Sequence, residues 1–400
     1  MKLSWKTLSV GVVFLLTAAP VQAATEIVVW HAYRAQEKKG IDRVAATYNA
    51  KGGDIRIKLV PIPYDAFADK ITAAVPRGKG PDLFIFAQDR VGDWAASELI
   101  EPLDFWVTDE QREAFLVPTL EALTYDDQIY GLPMAFKTLA LFYNTKLVKN
   151  PPKTTDELVK LAKKFTKPGK KTYGLVYENA NFYYQAPWLL GFGGEVFSKR
   201  GKPTLDSPAV VDSMKFAQYL AHEAKIMPEE VTSSLVTTLF SKGQAAMAIN
   251  GPWFIGEIGR GVDYRVAPLP NISGKGPARP FLTAEGVIMS ARSDHKKEAF
   301  EAMAFLTGNE AAKIMATVGR QTTARKDAYA HASIGKDPLF VAFRKQLENS
   351  APMPNTPAMR MVWSPVTTAM NKIINGKAEP AAAMAKAQTE VTQVLHGARR

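Results

Sequence analysis

The chain contains no cysteine in 400 residues. That excludes disulfides, thiol nucleophiles and cysteine-ligated metals. It also removes the residue at which lipid-anchored exported proteins are processed. Histidine is scarce: His31, His222, His295, His331 and His396 are scattered, with no helical ligand spacing. A histidine metal centre is therefore not expected, and no cofactor is expected. Beyond the N-terminus no apolar run is long enough to cross a bilayer. No internal repeat and no low-complexity tract is present.

The N-terminus differs from the rest. Lys2 and Lys6 precede the apolar stretch Leu8 to Ala19, and Val21-Gln22-Ala23 follows with small residues suited to cleavage. Residues 1–24 read as a secretory signal peptide, with the mature chain starting near Ala24 or Thr25. The expectation is a periplasmic, freely diffusing monomer. The remaining length suggests two or three domains at roughly 150 residues each. Removing Lys2 and Lys6 takes the formal charge from +11 to +9. Such a surplus suits nucleic acid, an anionic surface or an acidic ligand. The lysines are spread along the chain, so nucleic acid is not expected. The densest group, Lys160, Lys163, Lys164, Lys167, Lys170 and Lys171, falls mostly opposite the apolar face Leu158, Leu161, Ala162 and Phe165. It reads as a solvated helix face.

The stretch Pro81 to Trp94, PDLFIFAQDRVGDW, organises the chain. Leu83 to Ala87 is a continuous apolar run after a turn, the pattern of a strand covered on both faces. Gln88, Asp89 and Arg90 stand at its carboxyl end, where open α/β sheets bind ligands. The alternative is an Asp-Arg pair that only caps the next helix. Around this stretch, strands at Glu26–Trp30 and Ile55–Val60 alternate with helices carrying Ile41, Val44 and Ala45, and then Asp65 to Ala74. This β-α-β-α-β opening predicts a doubly wound α/β sheet. Further strands are predicted at Leu139–Asn144, Tyr173–Tyr177, Ala245–Ile249 and Glu285–Ser290. An aromatic loop is predicted at Phe182-Tyr183-Tyr184. Thr154 and Glu157 have capping-box spacing.

Four segments together, GPDLFIFAQDRVGDWAASELIEPL, GLPMAFKTLALFYNTKLVKNPPKT, FSKGQAAMAINGPW and MPNTPAM followed by Trp363, make the chain similar to the periplasmic maltose/maltodextrin-binding proteins and related extracellular solute-binding proteins of sugar ABC transporters. The resemblance runs from about Ile27 to Leu395. It implies a two-lobed α/β periplasmic binding fold with a ligand cleft between lobes joined by crossing hinge segments. Residues 25–135 and 286–330 would form lobe 1, and 136–285 and 331–400 lobe 2. It also implies a non-enzymatic role, capturing a carbohydrate and handing it to permease subunits in the inner membrane.

Carried over residue by residue, the resemblance places Asp89 and Arg90 at sugar hydroxyls and Phe86, Tyr183, Tyr184, Trp253 and Trp363 as aromatic platforms. The physical logic agrees, because a sugar has polar edges and apolar C–H faces. The chain departs from the maltodextrin pattern at four positions. Arg34, with Glu37 three residues on, replaces an acidic group; Lys137 replaces a glutamate; Ser364 and Thr367 replace a tyrosine and an arginine. Gained cations point to an anionic or glycerol-phosphate-type ligand as the alternative. A secreted glycoside hydrolase is a second alternative, requiring a carboxylate pair across one cleft. Glu285 stands near the lobe crossing and is not assigned to the site.

Overall fold

A computed structural model describes residues 24–397. The expected signal peptide, apart from its last residue, lies outside the described residues. Two sheets organise the chain. In the first, Thr25–His31 lies between Ile55–Pro61 and Leu83–Ala87, parallel to both. Phe281–Met289 pairs antiparallel with Leu83–Ala87 and, on its other edge, with Gly131–Lys137. In the second, the order is Tyr264–Ala267, Ala140–Asn144, Ala245–Asn250 and Tyr173–Val176. Among the described residues no helix is long and apolar enough to cross a membrane.

The run Leu83–Ala87 is buried at every position, as its uninterrupted apolar sequence predicts. Helices cover both faces of the first sheet. Ile41, Val44, Met303 and Met315 pack on one face, and Phe67, Ile71, Val91 and Trp94 on the other. The helix Thr155–Phe165 lies against the second sheet so closely that a Cβ at Gly174 would stand 2.1 Å from the Ala162 carbonyl oxygen. Thr154 Oγ1 accepts from the Glu157 amide as predicted, while Glu157 reaches one residue further back, to the Lys153 amide at 2.7 Å. The C-terminal helices Met359–Ile374 and Pro380–Gly397 share a core with Phe182, Val210 and Met214.

Two local expectations change. Phe182-Tyr183-Tyr184 is the first turn of a helix, Phe182–Gly191, and not a loop. Asn181 caps it by accepting from the Tyr183 amide at 3.0 Å, which offsets the weak helix preference of three aromatic residues. The strand predicted from Glu285 begins earlier, at Phe281, and runs without a break to Met289. Gln88 explains why the strand continues. Its buried side chain accepts from the Ala284 amide at 2.8 Å and donates to the carbonyls of Leu282 and Met353. One amide thus ties the organising stretch to two segments that pass between the sheets.

Candidate functional site

A cavity of about 760 Å³ opens between the two sheets. From the first sheet come Tyr33 and Arg34 after Thr25–His31, Glu37 in the first turn of helix Ala35–Asn49, and Phe86 at the end of Leu83–Ala87. The paired strands Gly131–Lys137 and Phe281–Met289 bring Lys137, Thr283 and Glu285 to its floor. From the second sheet, Ala245–Asn250 feeds Pro252 and Trp253 into the wall. The loop Gly319–Thr322 closes one side. Two non-glycine residues of the lining hold left-handed backbone, Ala35 at φ 46° and Arg320 at φ 57°. Local strain of this kind concentrates at functional sites.

The floor is a closed polar network. Lys137 Nζ donates to Glu285 Oε1 at 2.8 Å and lies 3.5 Å from Glu37 Oε1. Gln321 Nε2 donates to both carboxylates, at 3.0 Å to Glu37 and 3.1 Å to Glu285. The Tyr33 hydroxyl donates to Glu285 Oε2 at 3.2 Å. Burial penalises Lys137, but Glu285 and Glu37 more than offset it and hold the ammonium above its ordinary pKa. Burial likewise raises Glu285, against the pull of Lys137. Lys137 is therefore a charge already shared between two carboxylates. Gln321 Oε1, in contrast, is buried and accepts no hydrogen bond among the described residues.

The walls are aromatic. Tyr64, half exposed, stacks on Phe86 with centroids 5.3 Å apart, and Phe86 stacks in turn on Phe67 at 4.8 Å. Tyr64 is thus the face presented to the cavity, and Phe86, 5% exposed, is its backing. Across the cavity, the Trp253 ring folds back over Gly251, where a Cβ would meet it at 2.1 Å. Tyr183 stands beside Trp253, centroids 6.1 Å apart, and its phenol is pushed up to about 12 by burial.

Of the residues picked from sequence, Arg34, Glu37, Phe86, Lys137 and Trp253 line the cavity. Asp89, Arg90, Tyr183, Tyr184 and Trp363 stand outside its immediate lining. Asp89 is largely buried just past Phe86, with Arg90 Nε 3.6 Å from Oδ2 and no hydrogen bond to Oδ1 among the described residues. Burial, opposed by Arg90, raises its carboxyl to about 6. The Tyr184 hydroxyl donates to Asn250 Oδ1 at 3.0 Å, inside the second core. Trp363 lies in the second turn of Met359–Ile374, edge-on to Phe182 at 5.5 Å. No ion pair joins Arg34 to Glu37 among the described residues; Glu37 turns to Lys137 and Gln321 instead.

Sequence reasoning missed Tyr33, Tyr64, Gln321 and Glu285. Only Glu285 carried a signal. A lone carboxylate in the apolar strand FLTAEGVIM cannot be buried unpaired, so a cation had to face it. The contacts of the other three depend on the tertiary fold.

Residues 33–313 match the family described as bacterial extracellular solute-binding protein. The chain belongs to that family. A maltotriose-binding protein of Pyrococcus abyssi (strain GE5 / Orsay) is 30% identical over 93% of this chain and 83% of its own length. A galactooligosaccharide-binding protein of Bacillus subtilis (strain 168) is 27% identical over 91% of this chain and 88% of its own. Among solved structures, a cyclo/maltodextrin-binding protein complexed with maltotetraose superposes with a TM-score of 0.86 at 33% identity, covering 93% of this chain and 97% of that one. The two-lobed α/β architecture expected from the sequence is that of these relatives, and the family is one of binders, not enzymes.

Proposed function

We propose that this solute-binding protein captures a maltodextrin-type oligosaccharide in the cleft and delivers it to the permease subunits of an ABC importer, acting as a periplasmic monomer. The observation that carries the reading is the combination of a polar floor, whose one lysine is engaged by two carboxylates, with aromatic walls. Tyr64 and Trp253 offer flat faces to sugar C–H surfaces. Gln321 Oε1, in the lining, is a buried acceptor without a donor among the described residues, a demand that a sugar hydroxyl would meet. The names of the relatives support the same ligand class.

The floor disfavours both alternatives. The floor carries two carboxylates against one ammonium, which opposes an anionic sugar; Lys137 is engaged by Glu285 and Glu37 and Arg320 by Asp337, and of the lining cations only Arg34 forms no ion pair among the described residues. A hydrolase needs one carboxyl as acid and another as nucleophile or base, whereas Glu285 and Glu37 share a single ammonium and a single amide.

The lobes would divide where the chain passes between the sheets, along the bounds expected from the sequence (25–135 and 286–330; 136–285 and 331–400) except at the return into the first sheet. Phe281–Glu285 is hydrogen-bonded into the first sheet and would move with lobe 1. One passage lies at Thr138, whose hydroxyl pairs with that of Ser350 at 2.9 Å in a second passage. Closure about these segments would bring Trp253 towards Tyr64. The test is a thermal-shift and calorimetric panel of maltotriose, maltotetraose, galactooligosaccharide and glucuronate-bearing sugars. A bound ligand at 100 times its Kd adds about 2.7 kcal/mol of stability. Preference for the acidic sugars would overturn the neutral-ligand reading.

A further inference from the structure

The lysine run that reads in sequence as a solvated helix face becomes part of a larger surface in the fold. Lys163, Lys167, Lys170 and Lys171 close the helix Thr155–Phe165 and the turn after it. Thr166 Oγ1 donates to the Ile226 carbonyl at 3.2 Å, which sets Lys225 beside Lys167. The Tyr173 amide donates to the Gln244 carbonyl at 2.8 Å, which sets Lys242 near Lys171. These six lysines are exposed and none forms an ion pair among the described residues. The acidic groups on neighbouring elements are Asp263, held by Lys146 at 3.2 Å, Glu223, two residues before Lys225, and the exposed Glu229 and Glu230, four and five residues after it. Asp156 and Glu157 lie in the first turn of Thr155–Phe165, away from its lysine-bearing end.

The surface also has a defined place. Tyr173–Val176 and Ala245–Asn250 run parallel, and the carboxyl end of the latter delivers Trp253 to the cavity. Lys171 and Lys242 precede the amino ends of these strands, so the basic surface lies at the end of the second sheet remote from the cleft. It can be occupied without obstructing the ligand.

We propose that this basic pole is a docking surface for an anionic phospholipid membrane. It rests on the reading that the protein serves a membrane permease. A surface of unpaired ammonium groups complements lipid phosphates, each lysine near an anionic bilayer strengthening binding about fivefold at low salt. Several acting together would concentrate the protein at the membrane and leave the cleft free.

The test is vesicle flotation with phosphatidylglycerol-containing and purely phosphatidylcholine liposomes, at low and high salt. Binding is expected only to the anionic vesicles, weakening with salt. The variant with Lys167, Lys170, Lys171 and Lys242 each changed to Gln should lose at least tenfold. A control with Lys39, Lys79, Lys297 and Lys336 changed to Gln, which removes equal charge elsewhere, should bind nearly as the parent. Absence of binding to anionic vesicles at low salt would overturn the proposal. So would equal losses in both variants, or capture by soluble polyphosphate without capture by vesicles. Calorimetry with maltotriose on the same variants separates the two readings: a protein that binds vesicles but no sugar refutes the cleft assignment alone.

Discussion

Lys137 and Glu285 meet at 2.8 Å across two antiparallel strands, Gly131–Lys137 and Phe281–Met289, that lead from one sheet towards the other. The pair is both a floor of the cleft and a constraint on the segments about which the lobes would turn. Their environments differ from those of a surface pair, because each side chain is mostly buried and Gln321 and Tyr33 satisfy the remaining carboxylate positions.

Changing Lys137→Met should therefore destabilise the protein by about 2–4 kcal/mol, since it leaves Glu285 and Glu37 facing each other without a cation. Lys137→Glu should cost more, adding a third carboxylate. The double variant Lys137→Met, Glu285→Met should recover much of the loss. Urea denaturation of the parent, of these three variants and of Glu285→Met alone measures this. Additive losses in the double variant would show that the pair is not coupled.

Tyr64 and Phe86 should separate affinity from stability. Tyr64→Ala removes an exposed ring and should lower sugar affinity tenfold or more while costing under about 1 kcal/mol of stability. Phe86→Ala opens a buried stack against Phe67 and Trp94 and should cost about 3–5 kcal/mol of stability. Calorimetry and denaturation on both variants give the contrast. A Tyr64→Ala protein with parental affinity would remove Tyr64 from the binding face.

Trp253 should depend on Gly251. Trp253→Ala is expected to weaken binding about thirtyfold, as for a buried aromatic anchor. Gly251→Ala keeps the ring but drives it from its seat, because the new methyl would stand 2.1 Å from it. A comparable loss of affinity is expected, accompanied by a changed Trp fluorescence. Parental binding by Gly251→Ala would mean that the ring's present position is not the one that holds ligand.

Two groups at the first sheet give opposite pH dependences. Burial raises Asp89 to about 6 from 3.8, so between these values the folded state binds more protons than the unfolded, and stability falls as pH rises. Burial lowers His31 to about 4 from 6.5, so the folded state binds fewer protons and stability is lost as pH falls through that interval. Asp89→Asn should therefore expose the His31 effect alone, a loss of roughly 3 kcal/mol between neutral pH and pH 4 beyond that of the parent's other groups. Denaturation midpoints at pH 4, 5, 6 and 7 test this. Superimposable pH profiles for parent and Asp89→Asn would refute it.

The sequence alone determined the layered α/β architecture, because apolar runs such as Leu83–Ala87 and amphipathic helices such as Thr155–Phe165 state their burial through local periodicity. It set Asp89 and Arg90 after a strand end and Trp253 after a strand and its turn, where cavities of this fold class form, and the resemblance to the sugar-binding proteins added Arg34, Glu37, Phe86 and Lys137. Only the tertiary structure decided what those residues face. Phe86 points into a stack and presents Tyr64 in its place; Lys137 is neutralised by Glu285, 148 positions away; Lys225 and Lys242 join a lysine run that is remote in sequence. Periodicity reports which side of an element is buried. It carries no information on which distant side chain meets it, and charge pairing and ring stacking depend on that meeting.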